Sequence, residues 1–195
     1  MFSFRSIRVV LRDVNWSFLG RQGWGSLLAS RMIVGVALDY LPLFVEENGG
    51  RAKVGEMTTA DVKQYIVKIQ TASSQETYCQ RIVRQSVTSP DKAHYVGEAT
   101  WFVIHHWKSK FINLVDSLLT HFAFDNAKDK VYLWIDLFCY NQHTKEDKNP
   151  TWFQTTLNDV ISVTKNTILI IFSSSFLPLI PQFFFNCVAN SPLGS

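Results

Sequence analysis

The sequence predicts an α/β fold built on a parallel sheet, and three observations carry that reading. Residues 100–104, 131–135 and 167–172 are near-continuous runs of β-branched and aromatic residues that do not alternate polar with apolar, the pattern of strands buried on both faces. Between the first two runs, Phe111, Leu114, Val115, Leu118, Leu119 and Phe122 recur at helical spacing; between the second and third, Trp152, Thr156, Leu157, Val160, Ile161 and Thr164 do the same. A helical crossover returns the chain to the start of the sheet, so the three strands run parallel. Polar residues then collect after each strand: His105, His106 and Trp107; Asp136 followed by Asn141, Gln142 and His143; and Ser173, Ser174 and Ser175. Open α/β sheets bind ligands at that edge, although ordinary loops have the same composition.

Residues 1–48 form an N-terminal extension. Arg5, Arg8, Arg12, Arg21 and Arg31 face a single acidic residue before Asp39, and Ile7, Val10, Leu11, Val14 and Phe18 can share one face of a helix. A surface helix and a mitochondrial presequence both read this way. No early apolar core is long enough for a secretory signal. Residues 27–45 are apolar on average but interrupted by Arg31, Asp39 and Pro42, which fits a buried or amphipathic helix better than a membrane span.

Asn48-Gly-Gly50 reads as a helix stop. Residues 49–98 then form a helical lead-in, with capping boxes at Thr58-x-x-Asp61 and Ser73-x-x-Glu76. Val62, Ile66 and Ile69 supply the apolar face of the first helix, and Tyr78, Ile82 and Val83 that of the second. Ser89-Pro-Asp91 ends the second helix ahead of the first strand.

The composition, 47% apolar and 18% charged, is globular. A net charge of +3 without a basic run gives no footprint for nucleic acid. Cys79, Cys139 and Cys187 form neither a Cys-x-x-Cys pair nor an even framework, which fits a reducing, cytoplasmic setting; Cys139 reads as a small core or loop residue.

The ordered succession of residues 99–107, 111–119, Leu133-Trp-Ile-Asp-Leu-Phe138, Asn141-Gln-His143, Trp152 and 167–172 resembles the TIR-like domains of an uncharacterised family. Its members occur in algae, other protists and some invertebrates, often beside tetratricopeptide or ankyrin repeats. Gly49-Gly-Arg51 and Met57-Thr-Thr-x-Asp-Val62 resemble the segment that precedes that domain. The resemblance covers about residues 40–172 and implies a flavodoxin-like sheet. Ile104 stands where the family has Ser, and His106 where it has Ala. The family's closing Trp-Cys-x-x-Glu helix does not follow Phe172, so the glutamate with which some TIR domains cleave NAD has no counterpart here. The expectation is a TIR-like domain over residues 99–172 cut short after three strands, with an unpaired sheet edge.

Residues 173–195 carry no charge and include Pro178, Pro181 and Pro192. With Ile168 onward they are long enough for a C-terminal tail anchor, but the prolines and the claim of the sheet on 168–172 speak against it. The other reading is a foreign ending that replaces the rest of the domain.

The polar cluster of His105, His106, Trp107, Asp136, Asn141, Gln142 and His143 has several readings. A zinc site would use His105 or His106 with Asp136 and His143, but the spacing is no known metal pattern. A nucleophile reading would pair Cys139 with His143, without a visible orienting group or oxyanion loop. No Gly-rich phosphate loop is present. The favoured reading assigns no catalytic residue, metal or cofactor: His105 and Asp136 tie loops together, with Asp136 capping the turn after the second strand. The resemblance implies a signalling module whose partners are like domains or repeat-containing proteins. An NAD-cleaving hydrolase and a non-functional fragment are the alternatives.

Overall fold

A computed structural model describes residues 6–12, 33–124, 130–144, 160–161, 163–164 and 166–172. They form one six-stranded mixed sheet with helices on both faces. In chain order the strands are β1 (Ser6–Arg12), β2 (Val34–Ala37), β3 (Val96–Glu98), β4 (Trp101–Ile104), β5 (Tyr132–Trp134) and β6 (Asn166–Phe172); across the sheet they run β1-β6-β4-β5-β2-β3.

The three apolar runs are the three parallel strands. β4 lies between β5 and β6 and is parallel to both, with Phe102 opposite Trp134 on one side and Thr167 on the other. The chain therefore steps from β4 outward to β5, then back across β4 to β6. Right-handed crossovers in opposite directions must lie on opposite faces, and the packing agrees. Helix α6 (Phe111–Phe124) joins β4 to β5 and packs Phe111, Leu114, Leu118 and Phe122 into the cluster that holds Trp101, Val103, Leu133, Ile135, Ile168 and Ile170. The alternate residues Phe102 and Trp134 point the other way, against the helical residues Val160 and Ile161 that precede β6. Trp152, Thr156 and Leu157 lie outside the described residues.

The strand count corrects the expectation of three. The outer edge of β6 is paired along its whole length by antiparallel β1, Ser6 opposite Phe172 through Arg12 opposite Asn166. The amphipathic helix expected over Ile7, Val10 and Leu11 is thus a strand; Val14 and Phe18 lie outside the described residues. Three of the five residues in Ile-Arg-Val-Val-Leu are β-branched, which favours a strand, so strand pairing overrides a weak helical pattern. On the far side antiparallel β2 pairs β5, and β3 pairs β2. The helix expected across 27–45 is corrected in its described part: β2 takes Val34–Ala37, and α1 (Tyr40–Glu47) follows, while residues 27–32 lie outside the described residues.

At the β2–β3 pair, Gly97 is required by a close approach. A Cβ there would sit 2.5 Å from the Tyr132 ring, which lies across the glycine and reaches the His94 carbonyl through its hydroxyl at 3.2 Å.

Helices α1, α2 (Gly50–Val54), α3 (Thr59–Val62), α4 (Lys68–Gln70) and α5 (Tyr78–Ser86) cover the α6 face or border it. The Asn48-Gly-Gly50 stop is present: α1 ends at Glu47, and Gly49 takes φ 101°, which a side chain would oppose. Tyr40, Phe44, Tyr78, Phe111 and Phe138 form a fully buried aromatic group, with Phe44 edge-on to Tyr78, Phe111 and Phe138 at centroid separations of 5.1–5.6 Å. A chain of polar contacts closes its rim. Tyr78 donates to Gln70 at 2.9 Å, Gln70 to Asn48 at 2.7 Å, and Asn48 to the Phe44 carbonyl at 2.7 Å. Each of the three side chains donates to an acceptor, which offsets the cost of burying polar groups at this rim.

The Thr58–Asp61 capping box forms as expected. The second box does not form at Ser73. Gln75 takes φ 53° and breaks the turn there, so α5 starts four residues later, with Thr77 and Gln80 as its reciprocal cap. Ile69 and Val83, expected on buried faces, are exposed. Between α3 and α4 the helix passes through a π turn at Lys63–Val67, which turns Ile66 and Val67 into the core and leaves Tyr65 and Ile69 outside. Among the described residues no helix is long and apolar enough to cross a membrane. Residues 168–172, the start of the tail-anchor reading, belong to β6; residues 173–195 lie outside the described residues.

Candidate functional site

The C-terminal ends of β4 and β5 carry the expected polar cluster, and one carboxylate organises it. Ile135 leaves β5 in extended conformation and Asp136 opens α7 (Asp136–Cys139), a single helical turn. Asp136 Oδ1 accepts from the N–H of the next residue, Leu137, at 2.8 Å and from His105 Nε2 at 2.9 Å; the N-cap of the turn is Ile135, so Asp136 lies inside it and is not the cap residue the sequence suggested. Asp136 Oδ2 accepts from the Trp107 indole N–H at 3.1 Å. A carboxylate only accepts, so Nε2 of His105 carries a proton and, in the neutral ring, Nδ1 is the acceptor. The His105 side chain is 2% exposed against 28% for Asp136, and its Nδ1 has no hydrogen-bond partner among the described residues. The His105 and Trp107 rings stand 5.4 Å apart, and the Lys63 ammonium, on the π turn, lies 5.2 Å from the centre of the Trp107 ring.

The loop that presents His105 and Trp107 is docked onto a helix start. The first N–H groups of a helix have no partner within it; here Thr59 donates to the Ser109 carbonyl and Ala60 to the Trp107 carbonyl, both at 3.0 Å. His106 turns away from the cluster, with Nδ1 3.3 Å from Ser109 Oγ. Partial burial, then Lys108 and His105 nearby, hold its pKa below the ordinary histidine value.

Asn141, Gln142 and His143 are divided between two jobs. Gln142 is buried, and its amide donates to the Asp136 carbonyl at 2.6 Å, closing the end of α7 from below. Asn141 and His143 reach the other way, to the turn before α5: Asn141 Nδ2 donates to the Gln75 carbonyl at 2.7 Å, and His143 Nε2 lies 2.8 Å from Thr71 Oγ1. Thr71 spends its hydroxyl proton on the Val67 carbonyl at 2.7 Å, so His143 Nε2–H is the donor in that pair.

The seven candidates therefore separate into a compact triad, His105, Trp107 and Asp136, with Gln142 beneath it; Asn141 and His143, which tie their loop to the turn before α5; and His106, which contacts Ser109 within its own loop. The zinc arrangement of His105 or His106 with Asp136 and His143 is not assembled; among the described residues no group of three or more His, Cys, Asp or Glu side chains is placed to hold a metal ion. Nor do Cys139 and His143 form a nucleophile pair, because His143 is engaged by Thr71, while Cys139 Sγ lies 3.7 Å from Cys79 Sγ. Ser173, Ser174 and Ser175 lie outside the described residues.

No protein-family model, no curated protein and no solved structure matches this chain.

Sequence reasoning missed Thr71 and Gln75, which anchor the 141–143 loop, and Lys63, which covers Trp107. Those contacts join segments about 40–70 residues apart through a turn whose φ 53° no residue pattern announces. It also missed the Cys79–Cys139 approach, since the two positions become neighbours only when α5 packs beside α7.

Proposed function

We propose that this chain is a cytoplasmic TIR-like protein-interaction module whose sheet-edge cluster is a structural brace and not a catalytic centre. The observation that carries the proposal is the occupancy of Asp136. Its two oxygens take three donors from His105, Trp107 and Leu137, which ties the loop after β4 to the turn after β5. A carboxylate that stabilises positive charge on a sugar works best with its oxygens facing the substrate, and these face the protein. The β5-β4-β6 order, with crossovers on opposite faces, is the arrangement a flavodoxin-like domain uses for its first three strands, and supports the TIR-like part of the reading. Exposed Tyr65 in the π turn and Ile69 four residues on in α4, with Val83 and Val87 on and just after α5, supply apolar surface for partners. Partners of the proposed class are further copies of such a domain or a repeat-containing protein.

The competing reading is an NAD-cleaving hydrolase. It draws on the buried Nδ1 of His105, which has no partner among the described residues, beside a carboxylate that is still partly exposed.

Sedimentation velocity of the full chain from micromolar to near-millimolar concentration tests the interaction reading. Reversible association that is weakened by Tyr65→Asp and Ile69→Asp supports it. A chain that stays monomeric throughout, or whose association ignores both substitutions, removes the homotypic form of the proposal.

A further inference from the structure

We propose that Cys79 and Cys139 are a thiol pair that closes into a reversible disulfide, clamping α5 to the turn that carries Asp136. The two residues are 60 apart in sequence, yet their sulfurs lie 3.7 Å apart, both as free thiols. A disulfide needs about 2.05 Å between sulfurs, so each side has a short distance to give. Cys139 ends the single turn of α7, and Tyr140 after it is extended, so the approach needs no change in a longer helix on that side. A pair this close in a chain of otherwise reducing character belongs to the switchable class of disulfides and not to a secreted framework.

The two thiols differ in access. Cys79 is buried, 2% exposed, while Cys139 is partly exposed and is the one an oxidant meets first. Its contact with the Cys139 sulfur, together with burial, pushes the Cys79 thiol well above the ordinary cysteine range, so Cys139 is the thiol that reacts first; Cys79 is the resolving partner because its sulfur lies against Cys139.

With hydrogen peroxide as the two-electron oxidant, the Cys139 thiolate attacks one oxygen and the O–O bond breaks. The departing hydroxide takes up the proton the Cys139 thiol gave up and leaves as water, and Cys139 becomes a sulfenic acid. The Cys79 sulfur then attacks the sulfenic sulfur and the S–O bond breaks. The hydroxide released takes the Cys79 proton and leaves as a second water. Two thiols have lost two electrons and two protons, and one peroxide has become two waters. A dithiol reductant reverses the bond by exchange.

The consequence reaches the brace, because Asp136 and Cys139 are the first and last residues of one turn. Fixing Cys139 to α5 restrains the turn whose first carboxylate holds His105 and Trp107.

The test treats the full reduced chain with equimolar peroxide, alkylates the remaining thiols after unfolding, and maps the peptides without reduction. The expected result is the loss of two of the three cysteines as free thiols, a linked peptide joining Cys79 to Cys139, full reversal by dithiothreitol, and slower amide exchange across 136–143 in the oxidised form. Cys187→Ser should leave all of this unchanged, and Cys79→Ser should leave Cys139 as a sulfenic or more oxidised acid. A linked peptide containing Cys187, or Cys139 oxidised to sulfinic acid while Cys79 is alkylated, would overturn the proposal.

Discussion

Nε2 of His105 and Oδ1 of Asp136 meet at 2.9 Å, joining the ends of two neighbouring parallel strands, β4 and β5, through a side chain that is almost wholly buried. Removing the acceptor strands a donor. Asp136→Ala leaves both the His105 and the Trp107 N–H without their partner, and a buried donor left unpaired costs about 1–3 kcal/mol. Asp136→Asn keeps one acceptor oxygen and should cost less. Chemical denaturation of the two variants checks the order. A double-mutant cycle with His105→Ala should return a coupling energy of about 0.5–3 kcal/mol, the range for residues in direct contact.

Acidification should act first through His106. Its folded pKa lies below the unfolded value of about 6.5, so in the window between them the unfolded chain binds more protons than the folded one. Stability therefore rises with pH through that window, and the stabilisation is lost as pH falls through it. Glu76 and Asp61 add a later loss at lower pH, since Arg84 holds the first carboxylate down and the Thr58 cap the second. A histidine-selective NMR titration should place the His106 midpoint below the ordinary value, and His106→Gln should flatten the stability profile there.

Phe138 lies in the aromatic group against Phe44, Tyr78 and Phe111 and is fully buried. Phe138→Ala should cost about 3–5 kcal/mol through lost transfer energy and the cavity left behind. Val87, 82% exposed, is the internal contrast: Val87→Ala should change stability by no more than about 0.5 kcal/mol. Thermal melts of the two variants, run together, check both.

What the residues disclosed about this architecture depended on how local the deciding physics was. The three parallel strands were legible because burial on both faces writes an unbroken apolar run, and α6 because its apolar stripe repeats over fourteen residues. The flanking strands were not. β2 and β3 are four and three residues long, and β1 is chosen by pairing with a strand more than 150 residues away. At the site, Asp136 and His105 stood out as polar residues ending apolar strands. Nothing local separated Gln142, which turns inward under Asp136, from Asn141 and His143, which turn outward to Gln75 and Thr71.

Gly97 and Tyr132 give a test of the β3 edge. Gly97→Ala forces the Tyr132 ring aside and should destabilise by about 1–3 kcal/mol, an overpacking cost. In a Tyr132→Ala background the same glycine substitution should be close to neutral. A cost that persists in the double variant would mean the glycine is needed for its backbone and not for the ring above it.

Whether the Asp136 cluster braces a binding module or performs chemistry is decided by NAD turnover of the full chain, concentrated and also clustered on beads. A brace gives no nicotinamide release above background. Turnover that disappears in a folded Asp136→Asn variant and persists in Val87→Ala would contradict it and make the cluster a catalytic site.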